Sequence, residues 1–232
     1  MRKESDSYSI TIIRDGPFVV SGGVPLIQRY PAYSKYDEPL AWDAVGSTDE
    51  KRPTPEQYCL CRCGKSNDKP FCDGTHIDIR FDDQQVWGEP GHVYPMTTFQ
   101  GSGVTLIDVT FLCSGTGFCG TRYTTVWKMI ENTTDPEVLT RLREMVRNCP
   151  SGRLLLHLET ENRPDEPQYP PSIAAVPNGP LWVRGGILIR TEDGRAYSRR
   201  NRVTLCRCGA SNNKPFCDST HEQIGFIAPL WE

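Results

Sequence analysis

The sequence predicts an α+β fold, in which two β-rich units pair about a pseudo-two-fold axis and a small α/β insert lies between them in the chain. A sixteen-residue segment, 61–76, recurs as 206–221 with thirteen identical positions. Each copy follows a strand–Gly-Gly–strand pattern, at 16–27 and at 179–189. Between the copies, 133–148 has the apolar spacing of an amphipathic helix. Because a unit of two or three strands is too small to bury a core alone, we expect the two units to pair.

We expect the first unit at residues 8–96. Its Gly22-Gly23 pair lies between two runs of β-branched and aromatic residues, a pattern typical of a β-hairpin. A third strand is expected at Tyr58–Cys61, at the start of the repeated segment. The residues between the hairpin and this strand, 28–57, are rich in Pro, Tyr, Asp and Glu and are interpreted as an insertion loop.

Residues 97–160 are predicted to form the insert. We expect a strand at 104–112, a short helix at 121–131, a longer helix at 133–148 and a strand at 153–158. The longer helix has the clearest start, because Thr134 and Glu137 form a capping-box pattern and Pro136 lies in the first turn. Strand, helices and strand in this order indicate a small α/β layer.

The second unit is predicted at residues 179–232, after an extended linker at 161–178 that contains five Pro. It repeats the order of the first unit, with a hairpin around Gly185-Gly186 and a third strand at Val203–Cys206.

The two copies of the repeated segment retain every Cys and every His, at an offset of 145 residues. The first copy carries Cys61, Cys63, Cys72 and His76, and the second carries Cys206, Cys208, Cys217 and His221. Two diverged copies that both keep three thiols and one imidazole indicate a metal site in each.

The spacing within each copy suits metal binding. A C-x-C pair on a tight turn can direct two thiolates at one metal centre, and the Pro-Phe pair that follows is expected to fold the chain back towards a third. Asp73 is a candidate N-cap of a short helix, so Cys72 would lie where the helix dipole stabilises a thiolate. Ser66 and Ser211 are candidate hydrogen-bond donors to a sulfur. Three Cys and one His suit either tetrahedral zinc or an iron–sulfur cluster.

Both copies resemble the CDGSH iron–sulfur (NEET) family, whose signature is C-x-C-x2-S-x3-P-x-C-D-G-[SAT]-H. The resemblance implies a [2Fe-2S] cluster in each copy, with the C-x-C pair on one iron and the second Cys-His pair on the other. It also implies that this chain acts as a monomeric pseudo-dimer, like the two-cluster homodimers of single-motif members. The one departure is Ser219, where the family has Gly; because φ is negative at the start of a helix, serine should be tolerated there.

A third group of cysteines lies in the insert. Cys113-x5-Cys119 and the Cys149-Pro-Ser-Gly ending resemble the divergent single-cluster ferredoxin-like domains that often neighbour CDGSH motifs in bacteria. The resemblance offers a third cluster on these three cysteines, although Gly115 stands where those domains often have a His. The alternative is a degenerate domain whose Cys are small buried hydrophobic residues.

The remaining Cys and His residues are not expected to bind metal. Cys59 has Thr204 as its counterpart in the second copy, which indicates a core or strand-face residue. His92 and His157 have no thiol at ligand spacing, so we expect them on the surface or in the core.

Composition and charge limit the classes of protein that fit. A net charge of −3 argues against a nucleic-acid footprint, and no apolar run approaches the ~20 residues that span a bilayer. The N-terminus lacks the features of a signal peptide. Ten Cys, six of them in the repeated segments, fit a reducing compartment better than a disulfide framework. We therefore expect a cytoplasmic protein that does not bind nucleic acid or membrane.

The sequence offers no nucleotide-binding Gly-rich loop and no Ser-His-Asp set. The leading hypothesis is a non-enzymatic iron–sulfur protein that transfers electrons or clusters, or senses redox state, with a redox or cluster-acceptor protein as its partner. One alternative is an electron-relay component of an oxidoreductase system. Another is a zinc-stabilised interaction module.

Overall fold

The computed structural model describes residues 7–42, 48–52, 54–83 and 90–228. Residues 1–6, which belong to the N-terminus that was expected to lack a signal peptide, lie outside the described residues. So do the parts of the two predicted units at 43–47, 53, 84–89 and 229–232.

The described chain is mixed α+β, with small sheets and few helices. The strands are β1 Ser9–Ile12, β2 Phe18–Ser21, β3 Leu26–Gln28, β4 Pro31–Tyr33, β5 Pro39–Trp42, β6 Thr48–Arg52, β7 Gln57–Leu60, β8 Thr97–Gly101, β9 Val104–Asp108, β10 Leu154–Leu158, β11 Ser172–Ala175, β12 Leu181–Arg184, β13 Leu188–Thr191 and β14 Arg202–Leu205. The α-helices are α1 Thr75–Asp78, α2 Val126–Met129, α3 Pro136–Asn148 and α4 Thr220–Gln223, and 3-10 turns lie at Thr110–Leu112 and Ile130–Asn132.

Two sheets are each built from strands of both units. One has the order β13-β1-β2-β7, and the other has the order β14-β12-β11-β3-β6. Strand β13 of the second unit pairs in parallel with β1, and β3 of the first unit pairs in parallel with β11. Next to these parallel pairs, each sheet has three consecutive antiparallel strands, and β1-β2-β7 of the first sheet corresponds to β11-β12-β14 of the second. The second unit therefore contributes β13 to the sheet of the first, and the first unit contributes β3 and β6 to the sheet of the second.

The two predicted hairpins are wrong. Strand β2 pairs with β1 and β7, whereas β3, across the Gly-Gly pair, pairs with β11 and β6 in the other sheet. Strands β12 and β13 are separated in the same way. Gly22 and Gly185 have positive φ and closely approach backbone, since a Cβ would lie 2.4 Å from Ser7 O and 2.6 Å from Pro171 N, respectively. The glycines thus carry the chain from one sheet to the other instead of turning it back.

Two segments that were predicted to lack regular structure contain strands. The insertion loop predicted at 28–57 includes β4, β5 and β6, and the linker predicted at 161–178 includes β11. Strand β11 is fully buried because it lies between β12 and β3. The high Pro content obscured it, although Pro170 and Pro171 precede the strand and Pro177 follows it.

The insert follows its predicted order with shorter elements. Strands β8, β9 and β10 form a sheet on which α2 and α3 pack, around buried Leu106, Leu142, Val146 and Leu154. The predicted Thr134 cap is wrong, because Asp135 caps α3 and accepts a hydrogen bond from the backbone N–H of Glu137 at 2.9 Å. No helix among the described residues has the length and apolar character that crossing a bilayer requires.

Arg202 on β14 joins the insert to the second unit. Its guanidinium is buried and donates to the carbonyl oxygens of Val146, Arg147 and Cys149 at the end of α3, at 2.7–2.9 Å. It also pairs with Glu166 at 3.0 Å. A cation at the carboxyl end of a helix compensates carbonyls that have no partner within the helix. All four residues of β14 are buried.

Candidate metal centres

The eight Cys and His residues predicted as ligands lie in two loops, each between a strand and a one-turn helix. In the first loop, Cys61 and Cys63 directly follow β7, and their sulfurs are 3.7 Å apart. Cys72 and His76 lie on either side of the start of α1, with the Cys72 sulfur 3.3 Å from His76 Nδ1. Each loop copy thus contains two close ligand pairs.

The second loop repeats this geometry. Cys206 and Cys208 follow β14 with their sulfurs 3.6 Å apart, and the Cys217 sulfur lies 3.3 Å from His221 Nδ1. Two sulfurs bound to one tetrahedral metal at about 2.3 Å would lie about 3.8 Å apart. The spacing within each C-x-C pair therefore suits two ligands of the same metal atom.

The loops are folded by matching backbone hydrogen bonds. The Cys61 N–H donates to Pro70 O at 2.9 Å and the Cys72 N–H donates to Cys59 O at 3.0 Å, which brings Cys72 back beside the C-x-C pair. Cys206 and Cys217 make the equivalent bonds to Pro215 and Thr204. The Lys69-Pro70 and Lys214-Pro215 peptide bonds are both cis.

The serines of the motif support the loop backbone and do not donate to sulfur as predicted. The Ser66 hydroxyl donates to Phe71 O at 2.7 Å and accepts from the Asp68 N–H at 3.0 Å. Ser211 makes the same two bonds in the second loop, to Phe216 O and from the Asn213 N–H. These bonds fix the residue that precedes the third cysteine.

The predicted cap of the short helix is displaced by one residue. Gly74, not Asp73, is the N-cap of α1, although the Asp73 carboxylate accepts from the Thr75 N–H at 3.0 Å. Gly74 has φ of 92°, in the left-handed region, and Ser219 occupies the same position of the second loop with φ of 70°. The expectation of negative φ at Ser219 is therefore wrong, and the serine is in a conformation that costs an L-residue energy.

The four candidate ligands of each loop form two pairs, not one converging set. Over the part of the chain that the structure describes, no three Cys, His, Asp or Glu side chains converge as ligands of a single metal ion. The pairs nevertheless lie near each other. Burial raises the pKa of the Cys72 thiol, and Cys61 raises it further; Cys206 has the same effect on Cys217. Two adjacent pairs suit a two-metal centre with two ligands on each metal, whereas structural zinc requires four ligands around one ion.

The two thiols of the C-x-C pair in the second loop change each other's pKa. The neighbouring Cys208 thiol lowers the pKa of Cys206, and Cys206 in turn raises the pKa of Cys208. The first of the two protons therefore leaves readily, whereas the second leaves only when a cation offsets the paired negative charge. Burial raises the pKa of Cys63 in the first loop. Both loops thus favour a bound cation over a metal-free dithiolate.

The two loops contact each other through backbone. A Cβ on Gly64 would lie 2.3 Å from Cys208 O, and a Cβ on Gly209 would lie 2.5 Å from Cys63 O. Arg207 is buried at this contact, where burial lowers its pKa to about 10 while Cys61 and Cys208 oppose the shift. One guanidinium is thus close to thiols of both loops.

Arg62, the counterpart of Arg207, has a different environment. It forms an ion pair with Asp83 and donates to Ile13 O at 2.6 Å. Among the described residues, Arg207 donates its hydrogen bonds to carbonyl oxygens, including Gly179 O at 2.7 Å. These arginines, Gly64 and Gly209 were not predicted as site residues, although the identity of C-R-C-G in both copies was the signal that could have found them.

The surroundings of the two imidazoles also differ. His76 is half-buried and lines an open cavity of about 490 Å³ with the charged residues Arg14, Asp15 and Arg80. His221 is only 8% exposed and lines a cavity of about 450 Å³ with Trp42, Phe118 and Phe226. Burial, followed by the charge of Arg207, lowers the pKa of His221.

The three cysteines of the insert lie close together. Burial raises the pKa of Cys119, and Cys149 and Cys113 contribute to the shift. All three line a cavity of about 20 Å³, close to the space that one water molecule occupies. Arg153 lies beside Cys113 and is held by Asp108 at 2.6 Å. These residues offer three thiols without a fourth Cys or His among the described residues that line the cavity, and so do not supply the four-ligand set of a cubane cluster.

The other Cys and His residues lie outside these sites. Cys59 is half-buried on β7, opposite Val19, and burial raises the pKa of its thiol. His92 is exposed and contacts Tyr94 edge-on at 5.0 Å. His157 is half-buried on β10, opposite Thr105. These positions agree with the surface and strand-face roles that the sequence predicts.

Comparison with known families gives matches to three segments. The model described as iron-binding zinc finger CDGSH type matches residues 15–77 and 178–222. The model described as divergent 4Fe-4S mono-cluster matches residues 99–159. No curated protein and no solved structure matches the chain significantly. The first two matches contain the two loops, and the third contains the cysteines of the insert.

Proposed function

We propose that this chain, which carries two segments of the CDGSH type and one of the divergent 4Fe-4S mono-cluster type, is an iron–sulfur protein with a [2Fe-2S] cluster in each CDGSH loop. The observation that carries the proposal is the arrangement of each loop into two ligand pairs, at 3.6–3.7 Å and 3.3 Å. Cys61 and Cys63 would hold one iron of the first cluster, with Cys72 and His76 on the other. Cys206 and Cys208, then Cys217 and His221, would hold the second cluster.

The chain would hold its clusters as a pseudo-dimer. The exchange of β3 and β13 between the two sheets and the reciprocal contacts of Gly64 and Gly209 support a pseudo-two-fold relation between the units. Since both units then contribute to both sheets, one chain would suffice for two sites. We therefore propose a monomer.

Each cluster would supply a one-electron redox centre. The chain's own residues set the conditions around it. Three thiolates in each loop carry negative charge, and the buried Arg207 lies where its positive charge offsets thiolates of both loops. Each loop also contributes one imidazole, from His76 or His221, and imidazole is the ligand type of this set that accepts a proton most readily. Electron or cluster transfer with proton coupling follows from this donor set.

The two sites differ in their access to a partner. The His76 side of the first loop faces an open cavity, whereas His221 is buried beside aromatic residues. We propose that a redox or cluster-acceptor protein approaches the first site, and that the chain acts in a reducing compartment without catalysing a reaction of its own. Turnover that depends on this protein together with a reductase would favour the alternative, an electron-relay component of an oxidoreductase.

The zinc alternative predicts a different geometry from the one described. A structural zinc ion would draw three Cys and one His around one point. The paired spacing favours two metals per loop, so an interaction module stabilised by zinc is the weaker proposal.

Iron and acid-labile sulfide quantification with visible absorption tests the proposal. Two [2Fe-2S] clusters give about four irons and four sulfides per chain. A colourless protein with zinc and no iron would contradict it. An iron count above four that falls in Cys113→Ser but not in Cys59→Ser would assign a third cluster to the insert, and an unchanged count would leave those cysteines as packing residues.

A further inference from the structure

The arginines between the two cysteines of each C-x-C pair, Arg62 and Arg207, lie in matching cages of backbone carbonyl oxygens. Each donates to two carbonyls of its own unit, those of Ile13 and Gly16 for Arg62 and those of Val176 and Gly179 for Arg207. The guanidinium carbon of each arginine also lies 5.7 Å from the centroid of a phenylalanine ring. The two cages therefore have the same construction around the cation.

The cages differ in their negative charge. In the first cage, Arg62 forms an ion pair with Asp83, and the Asp83 N–H donates to the Asp15 carboxylate at 3.0 Å. In the second cage, Ala228 stands in place of Asp83 and Asn178 in place of Asp15. The same backbone bond remains, because the Ala228 N–H donates to Asn178 Oδ1 at 2.9 Å. The second cage thus keeps the geometry of the first and lacks both of its carboxylates.

Arg207 is consequently a buried cation without a carboxylate partner among the described residues. Its residue is 2% exposed, and its Nη1 has no hydrogen-bond acceptor in that part of the chain. The negative groups that favour its charged form are the thiols of Cys61 and Cys208, one from each loop. Because a buried charge is costly unless an opposite charge lies near it, the cage requires negative charge from the loops themselves.

An unpaired cation at this place changes the redox properties of both loops. A [2Fe-2S] cluster gains one negative charge when it is reduced, so a nearby cation favours the reduced form and raises the reduction potential. Burial acts in the opposite direction, because a medium of low dielectric disfavours added charge. The neutral ion pair of Arg62 and Asp83 compensates this burial much less than an unpaired guanidinium does.

We propose that Arg207 is the common counter-charge of the two sites and raises the reduction potential of both, and that the neutral residues Asn178 and Ala228 are what leaves its charge free to do so. This inference rests on the proposed function, since it requires a cluster in each loop. Arg207 acts through its charge and is not a ligand.

A redox titration of the full-length loaded protein, followed by visible absorption, tests the proposal. Ala228→Asp restores a carboxylate at the position that Asp83 has in the first cage. Both one-electron steps should then become less favourable, each by at least about tenfold in the equilibrium constant for reduction, which is about 59 mV for one electron. Arg207→Gln should lower both potentials in the same way, whereas Arg207→Lys keeps the charge and should retain most of the wild-type values.

Two exposed positions provide variants that do not alter packing. Asn178→Asp adds a carboxylate to the cage without changing the shape of the side chain, and it should lower both potentials by a smaller amount. Asn132→Asp is the control, because it adds the same charge at an exposed residue before α3, at the opposite end of that helix from Cys149. It should change neither potential.

The iron-free protein gives a second measurement. Ala228→Asp should raise its melting temperature, because the new carboxylate pairs with a buried cation, and Asp83→Ala should lower it, because Arg62 then loses its partner.

Unchanged potentials in Ala228→Asp and Asn178→Asp proteins that each carry four irons would overturn this inference alone, as would a shift of only one of the two steps. Absence of iron from the wild-type protein would overturn the proposed function and this inference with it.

Discussion

Gly64 lies against the backbone of Cys208, so closely that a Cβ on Gly64 would come 2.3 Å from the Cys208 carbonyl oxygen. Gly209 makes the reciprocal approach to Cys63, at 2.5 Å. Residues 144 positions apart in the chain, 64 and 208, thus meet between the two candidate metal centres. The two loops are therefore one structural unit, and a change at this contact should be felt at both sites.

We expect Gly64→Ala to disturb both loops. The new methyl group would collide with backbone, and φ of +75° costs a non-glycine residue about 1–2 kcal/mol even without a collision. The free energy of unfolding should fall by more than that strain alone, and the absorption of both clusters should decrease. Chemical denaturation and iron quantification measure the two effects.

Gly74→Ala is the matched control for this prediction. Gly74 also has positive φ, at +92°, but a Cβ there would have no atom within 4 Å. It should show the strain without the collision. Equal losses in the two variants would contradict a role for the contact between the loops.

For Ser219 we expect a substitution to stabilise the protein, in contrast to the substitutions of Gly64 and Gly74. It holds φ of 70° where the first loop has Gly74, so Ser219→Gly should raise the free energy of unfolding by about 1 kcal/mol. Gly74→Ser should lower it by a similar amount. Thermal melts of the two reciprocal variants measure this directly, and a loss of stability in Ser219→Gly would show that its contact with the insert outweighs the strain.

The insert accounts for two of the three differences between the repeated segments. Asn213, which replaces Asp68 of the first copy, donates to Phe111 O at 2.7 Å. Ser219 contacts Gly115, where a Cβ would lie 2.5 Å from the Ser219 Cβ. A side chain at 115 would collide with the second loop. The absence of a His at Gly115 and the replacement of Gly at Ser219 are therefore parts of one interface.

The sequence predicted those elements whose signals are local. Strands β7 and β14 are recognisable because a β-branched or aromatic run leads directly into the repeated segment, and α3 because its apolar stripe spans several turns. The hairpins failed for a long-range reason. The residues Leu26–Gln28 favour a strand but do not indicate which strand it pairs with. Its parallel partner is β11, which is distant in the sequence. Local patterns specify that a strand forms without specifying its partner.

The candidate ligands were predicted with the same limitation. Two retained copies of three Cys and one His identify the residues, but their division into pairs and the contact between the loops depend on tertiary structure. The conformation of Ser219 could not be inferred because the helix begins one residue later than Asp73 suggested, which places position 219 before the helix with positive φ.

Arg202 should be among the most important residues for the attachment of the insert. Arg202→Met removes three bonds to the carbonyl end of α3 and the ion pair with Glu166. Because these acceptors are buried, we expect a loss of about 3–5 kcal/mol in the free energy of unfolding. The control is Gln57→Met, at the equivalent but exposed position of the first copy, which should change stability by less than about 0.5 kcal/mol.

Asp165 holds the segment that follows β10 against α3, and we expect the stability that it contributes to be lost in acid. Burial alone would raise its pKa, but Arg143 at 2.8 Å and Arg147 lower the pKa below the usual value of 3.8. Its contribution to stability is therefore present above pH ~4 and is lost as the pH falls through the folded-state pKa. Since both arginines are partly exposed, Asp165→Asn should cost about 1–2 kcal/mol at pH 7 and little at the acid end.

Denaturation of the wild type and the variant at several pH values measures this difference. Glu144→Gln is the control, because the pair with Arg141 on the same helix is exposed and should contribute little at any pH. A stability difference for Asp165→Asn that did not shrink on acidification would contradict the assignment.

The histidine ligands should make the clusters sensitive to pH. In the double variant His76→Cys, His221→Cys, the ligand that can accept a proton is replaced by a thiolate. The midpoint potentials should then lose their pH dependence, which can reach about 59 mV per pH unit for one proton and one electron, and cluster loss in acid should slow. Electrochemical titration and the decay of visible absorption at mildly acidic pH measure these effects.

The single variants should differ, because the two imidazoles are not equally accessible. His76 is half-buried beside an open cavity, whereas His221 is 8% exposed and burial with Arg207 lowers its pKa. Solvent reaches His76 more readily than His221, so His76→Cys should remove the fast phase of cluster loss and His221→Cys the slow one. An unchanged pH profile in the double variant would contradict the proton coupling, and identical single variants would contradict the inequivalence of the two sites.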